Sequence, residues 1–158
     1  MQSKEVLFLF PSTVFSGHEK MALKILEKAP FKIDCILKSE LVSKFTLDNN
    51  YFSYTNFLSL IKTLIKIRLS KKKVSIVLIA GSPYGFLKEK MLIKFLMFNS
   101  IEYVPVPELK VIQDKFHHKL MPTLNRILID KRVLIDQWQV EYSAVKNCMI
   151  IKNIVEND

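Results

Sequence analysis

Ser16-Gly17-His18-Glu19 brings a hydroxyl, a bare backbone position, an imidazole and a carboxylate within one turn. A glycine at a helix start permits close backbone approach, and the free N–H groups there favour anions or hydroxyls. His18 is the candidate proton carrier, and so the candidate catalytic residue. Glu19 fits two roles, as a hydrogen-bond partner for a polyol or as the closing residue of a capping box with Ser16 at the N-cap. Two more loops offer groups of the same kind. Gly81, Ser82 and Tyr84 lie in Gly81–Gly85, and Glu108 lies in Pro105–Leu109. With Ser16, Gly17 and Glu19 they complete the candidate substrate-binding set. G-x-G-x-x-G and G-x-x-x-x-G-K-[ST] are both absent, so the glycines do not spell a dinucleotide or P-loop site. Nothing has metal-ligand spacing: the His117–His118 pair lacks nearby cysteines or a second suitably spaced histidine. No metal and no cofactor are expected in this domain.

Those residues need a frame. Strand candidates are Val6–Phe10, Phe31–Leu37, Tyr51–Tyr54, Val74–Ala80, Ile101–Val104, Arg132–Ile135 and Cys148–Lys152. The longer ones are continuous apolar runs, the pattern of strands covered on both faces. Between them helix candidates fall at His18–Lys28, Ser39–Asp48, Asn56–Ser70, Phe86–Asn99, Val111–Arg126 and Gln137–Val145. The first buries Met21, Ala22, Ile25 and Leu26 on one face. Alternating strands and helices predict an α/β domain with a doubly wound, mainly parallel sheet of about six or seven strands, Rossmann-like, with helices on both faces. In such a sheet ligands bind outside the carboxyl ends of the strands, where strand order reverses. All three glycines, and four of the six prolines (Pro11, Pro83, Pro105 and Pro107), follow strand candidates one, four and five. Those loops are expected to meet at one crevice. Turn punctuation accounts for each loop singly, but the opposite edge has turns too and receives no glycine.

Size and charge narrow the field. A chain of 158 residues suits one domain, and its apolar runs are too short to cross a bilayer. Cys35 and Cys148 sit in apolar strand-like runs and are expected to stay reduced, as in a cytosolic protein. The net charge is +9, and no Asp or Glu occurs between Asp48 and Glu89. Lys62, Lys66, Arg68, Lys71, Lys72 and Lys73 cluster in that window. Phe57, Leu60, Ile61, Leu64 and Ile65 make the apolar face of its helix, with Lys62 and Lys66 opposite. The pattern suits either a solvated lysine-rich face or an anionic membrane surface, where each base contributes about 1 kcal/mol. With few exposed aromatics in the patch and no recognisable nucleic-acid motif, no nucleic acid partner is expected.

Two stretches resemble a known family. Glu5–Leu26 (EVLFLFPSTVFSGHEKMALKIL) is similar to the opening of GT-B glycosyltransferases of the family 4 type: a strand, a glycine-containing loop, then Glu plus a base, here Gly17, Glu19 and Lys20. Lys131–Asp158 resembles the end of the same N-terminal domain, closing in Asn153 before a hinge. The family's double glycine is Ser16-Gly17 here, and its mid-domain histidine is not evident in Gly81–Phe86 or Pro105–Leu109. The resemblance implies that residues 1–152 are an acceptor-side domain and that 153–158 begin a hinge to a C-terminal donor domain, which binds the nucleotide sugar. The implied acceptor is a glycan or a lipid-linked glycan, handled in the cytoplasm at the inner face of the membrane in polysaccharide biosynthesis, and the isolated chain would be inactive. Two other readings stay open: a self-contained flavodoxin-like binding or regulatory module, and a membrane-recruited partner subunit.

Overall fold

The computed structural model describes residues 5–48, 50–71, 73–80, 85–104, 123–134 and 148–150. Its strands are β1 (Glu5–Phe10), β2 (Asp34–Lys38), β3 (Tyr51–Tyr54), β4 (Val74–Ile79), β5 (Asn99–Tyr103), β6 (Lys131–Leu134) and β7 (Cys148–Ile150). Its helices are α1 (Gly17–Lys28), α2 (Ser39–Val42), α3 (Phe57–Ser70) and α4 (Leu87–Phe95), and residues 123–128 are also helical. The strands form one sheet in the order β3-β2-β1-β4-β5-β6-β7, and each neighbouring pair is parallel. This is the expected doubly wound α/β fold. Strand order reverses between β1 and β4.

The strands are apolar because both faces are covered. Along β1, Leu7 and Leu9 join the core beneath α3 and α4, whereas Phe8 and Phe10 join the core beneath α1 and α2. All six residues of β4, the central strand, are buried. Each core Leu or Ile withdrawn from water contributes about 1.5–3 kcal/mol. Cys35 is buried in β2 and Cys148 is half-buried in β7, both as free thiols.

Several elements differ from the sequence expectation, each for a local reason. Strand β2 begins at Asp34, not Phe31, and Phe31 stands 65% exposed in the approach to it. The helix expected over Ser39–Asp48 stops at Val42, where tight turns take over: Lys44 N–H donates to Leu41 O at 2.9 Å and Phe45 N–H to Val42 O at 3.2 Å. The turns drop the Phe45 ring onto Phe10, 4.8 Å between centroids and edge-on. Helix α4 stops at Phe95, and Asn99 already belongs to β5. Phe98 N–H reaches Ile93 O at 3.1 Å and Met97 N–H reaches Lys94 O at 3.0 Å, the two bonds of a Schellman stop. Met97 takes the left-handed position (φ 59) where glycine is usual, so no residue type announced the stop. The expected helix Gln137–Val145, and most of Val111–Arg126, lie outside the described residues.

Helix α3 also turns differently from the expected projection. Its N-cap Asn56 accepts from Ser59 N–H at 2.9 Å, and Ser59 Oγ accepts from Asn56 N–H at 3.0 Å. The residues it buries are Leu60, Leu64 and Ile67, a narrow stripe spaced four and three apart. Ile65, expected inside, is 40% exposed, and Phe57 is 39% exposed. In α1, Ala22 and Leu26 are buried, while Ile25 looks outward.

Candidate functional site

The order reversal sets β1 beside β4, with α1 departing on one face and α4 on the other. The loop from β1 to α1 is held by rings. Phe15 packs on Phe45 at 5.7 Å, Phe45 is pinned by Phe10, and Pro11 is buried at the strand end. The Ser12 hydroxyl donates to Val14 O at 3.0 Å and ties the loop's outer bend. Ser16 to Glu19 are thereby presented at the carboxyl edge of the sheet.

Ser16 and Glu19 form the capping box. Ser16 N–H donates to Glu19 Oε2 at 2.9 Å, and the Ser16 hydroxyl donates to the same oxygen at 2.6 Å. Glu19 is 3% exposed, so its carboxylate serves α1 directly. His18 is half-buried, with Nδ1 3.5 Å from Ser16 Oγ. Gly17 is the exposed first residue of α1, and its φ is not positive. Its use there is its missing side chain. The structure therefore brings Ser16, Gly17, His18 and Glu19 together. Gly81, Ser82, Tyr84 and Glu108 lie outside the described residues, as do Pro83, Pro105, Pro107 and Asn153. Where the second loop re-enters description, the left-handed corner is taken by Phe86 (φ 60, ψ 38), the N-cap of α4, and not by Gly85.

Two tyrosines at this edge were not singled out from the sequence. Tyr54 ends β3 and Tyr103 ends β5; both are buried, and neither hydroxyl has a hydrogen-bond partner among the described residues. Burial raises both phenols above their usual range, and the charges of Glu89 and Glu40 raise Tyr54 further. Their sequence signal is only a tyrosine closing an apolar run.

Deeper in the sheet lies a group that sequence periodicity concealed. Glu102 of β5 pairs with Lys90 Nζ at 2.5 Å and with Arg132 Nε at 2.6 Å, all three side chains being fully buried. Lys90 Nζ also donates to Asn125 Oδ1 at 3.2 Å. Burial alone would raise the Glu102 carboxyl, but Lys90 and Arg132 outweigh it and hold it below the usual range. The network joins α4, β5, β6 and the turn of helix at 123–128. It is a structural clamp.

At the opposite, amino edge a groove of about 470 Å³ is lined by Glu5, Phe31, Lys32, Asp34 and Lys71, among others. Lys71 spans it, 2.6 Å from Glu5 and 3.4 Å from Asp34. The Glu5 hydrogen bond is the chief cause raising its amine above the ordinary lysine value. Lys71 thus answers two carboxylates and is not a free surface base. Arg68 is half-buried, its guanidinium 5.8 Å from the Phe98 ring centroid. Lys62, Lys66 and Lys73 stand exposed, and Lys72 lies outside the described residues. Among the described residues no helix is long and apolar enough to cross a membrane.

No family model matches the sequence, and no curated protein matches it either. Solved structures do match. The chain is similar to Anabaena Alr3699/HepE in complex with UDP, with a TM-score of 0.64 at 11% identity, covering 94% of this chain and 44% of that one. Against the same protein in complex with UDP and glucose the TM-score is 0.61 at 12% identity, covering 96% and 45%. At such identity the likeness is one of fold, the doubly wound α/β sheet. The chain spans less than half the length of these structures.

Proposed function

We propose that the chain is the acceptor-side half of a glycosyltransferase, moving a sugar from a nucleotide-sugar donor to a glycan or lipid-linked acceptor. The observation that carries this is the fold match: nearly the whole chain superposes on part of a protein solved with UDP and with UDP plus glucose, the two pieces of a sugar nucleotide. Resemblance of Glu5–Leu26 and Lys131–Asp158 to family 4 enzymes belongs to the same proposal. So does the division at residues 152 and 153, with a donor domain beyond it.

In sugar transfer the acceptor hydroxyl oxygen forms a bond to the anomeric carbon, the bond from that carbon to the nucleoside diphosphate breaks, and the hydroxyl proton goes to a base. His18 is the group for that proton. Its Nδ1 lies beside Ser16, which leaves Nε2 to receive it. Gly17, with no side chain, lets the acceptor come close to the start of α1, and Ser16 and Glu19 hold that start in shape. Gly81, Ser82, Tyr84 and Glu108 belong to the same proposal as further acceptor-binding residues. Attraction of the basic α3 region to an anionic membrane, at its cytoplasmic face, is part of the same reading.

Transfer needs donor and acceptor held together. The chain alone is therefore expected to bind immobilised oligosaccharides, weakened by His18→Ala, and to release no nucleotide from sugar nucleotides. Acceptor-dependent turnover by the chain alone, or no glycan binding by it, overturns the proposal.

A further inference from the structure

The outward side of α3 is not the plain lysine face that its charge suggests. Leu58 is 60% exposed, Ile65 40% and Leu69 83%. At about 100° per residue these three fall within one narrow sector, opposite the buried Leu60, Leu64 and Ile67. Lys62 and Lys66 flank that sector on one side, about 20° and about 60° beyond Leu69, both exposed. The row runs about 16 Å along the helix. Isolated exposed leucines are ordinary, but an aliphatic row flanked by lysines, with no acid on the helix, is a patterned surface. Helix α4 covers the same face of the sheet and exposes Met91 at 54% and Phe95 at 83%. Arg68 lies over the ring of Phe98, in the turn between α4 and β5.

We infer that this outer face of α3 seats itself in the interface of an anionic lipid bilayer, with Leu58, Ile65 and Leu69 entering the acyl boundary and Lys62 and Lys66 reaching the phosphates. The inference rests on the surface-binding part of the function proposed above, not on sugar transfer. Charge and shape choose this occupant. Lysine stems lie along apolar surface while their ammonium groups reach outward, which fits headgroups above acyl chains. A second copy of the chain would bring two lysine-bearing helix faces together with no carboxylate on either helix to answer them. Nucleic acid would meet aliphatic side chains where it needs stacking rings. The helix lies in the interface plane, and Lys71 takes no part because Glu5 and Asp34 hold it.

Insertion and simple attraction respond differently to salt. Raising salt from 0.1 M to 1 M shortens the Debye length from about 10 Å to about 3 Å. Binding to phosphatidylglycerol-containing vesicles is expected to weaken but persist at 1 M, and to be far weaker on pure phosphatidylcholine. Leu58→Ser/Ile65→Ser/Leu69→Ser should lose at least about tenfold in partitioning at either salt, since burying aliphatic chains supplies that part. Its fold is checked by circular dichroism, the replaced side chains being exposed. Complete loss of wild-type binding at 1 M salt, or equal binding by the triple variant, overturns insertion and leaves electrostatic binding standing. No binding to anionic vesicles at low salt overturns both. A wild-type dimer that the triple variant abolishes assigns the face to a second copy and overturns the inference.

Discussion

Two groups of charge on the same side of the sheet show how place decides the use of a charge. Lys90, Glu102 and Arg132 are shut completely inside, whereas Lys62 and Lys66 stand in water a helix away. Inside, little water screens the charges and the partners cannot drift apart. The pairing need not add net stability over an apolar core, yet removing one member leaves a buried charge unanswered. The trio therefore dictates how α4 meets β5 and β6. Outside, an ammonium is solvated in any position, so its contribution to folding is small and it remains available to another surface. One set of charges specifies structure; the other is free for recognition.

The sharpest way to break the contrast is Glu102→Gln. It should cost about 3–5 kcal/mol in urea unfolding, because Lys90 and Arg132 lose their buried counter-charge. A loss under 1 kcal/mol would mean that the interior trio behaves like a surface pair. The acid limb sharpens the same point. Glu102 titrates lower when folded than its unfolded value of about 4.3, so its stabilisation is complete above that pH. It is lost as pH falls through the folded value. Glu102→Gln should flatten the fall in stability below about pH 4.3. Some slope should survive, since Asp130, which burial would raise, is held low by Lys94 and Ser100.

A smaller effect is expected at the cap that holds the outer row in place. Asn56→Ala removes the acceptor for Ser59 N–H and should cost about 0.5–2 kcal/mol, read as a lower thermal midpoint. An unchanged midpoint would show that packing of Leu60 and Leu64 alone sets the start of α3. Smallest of all should be Lys62→Glu/Lys66→Glu. Stability should stay within about 0.5 kcal/mol of the parent, while binding to anionic vesicles is lost from the same preparation. A large stability change would place those lysines with the interior trio.

Much of the fold was legible because two-sided burial writes itself as unbroken apolar runs. The run expected over Val74–Ala80 is found as β4 (Val74–Ile79) for that reason, and Ser16 to Glu19 announced the start of α1 by residue type. Element ends were less legible. The α4 stop uses Met97 in a left-handed turn, and α2 ends early because Phe45 finds a better place against Phe10. Neither reason is local in sequence. The candidate site was readable only as a place: Ser16, Gly17, His18 and Glu19 share one turn, but the closure of Glu19 onto Ser16 depends on side-chain geometry.

By itself the sequence determined the alternation of strands and helices, the parallel sheet, and the start of α1 at Ser16 to Glu19. Those follow from hydrophobic period and from backbone-permissive residues, which act over a few positions. Tertiary structure alone decided that Glu102 would be neutralised by Lys90 and Arg132, 12 and 30 residues away along the chain. It also decided that Lys71 would face Glu5 and Asp34, and that Ile65 would turn outward beside Leu58 and Leu69. A helical wheel gives the angles between side chains, but only the sheet beneath the helix fixes which angle is down.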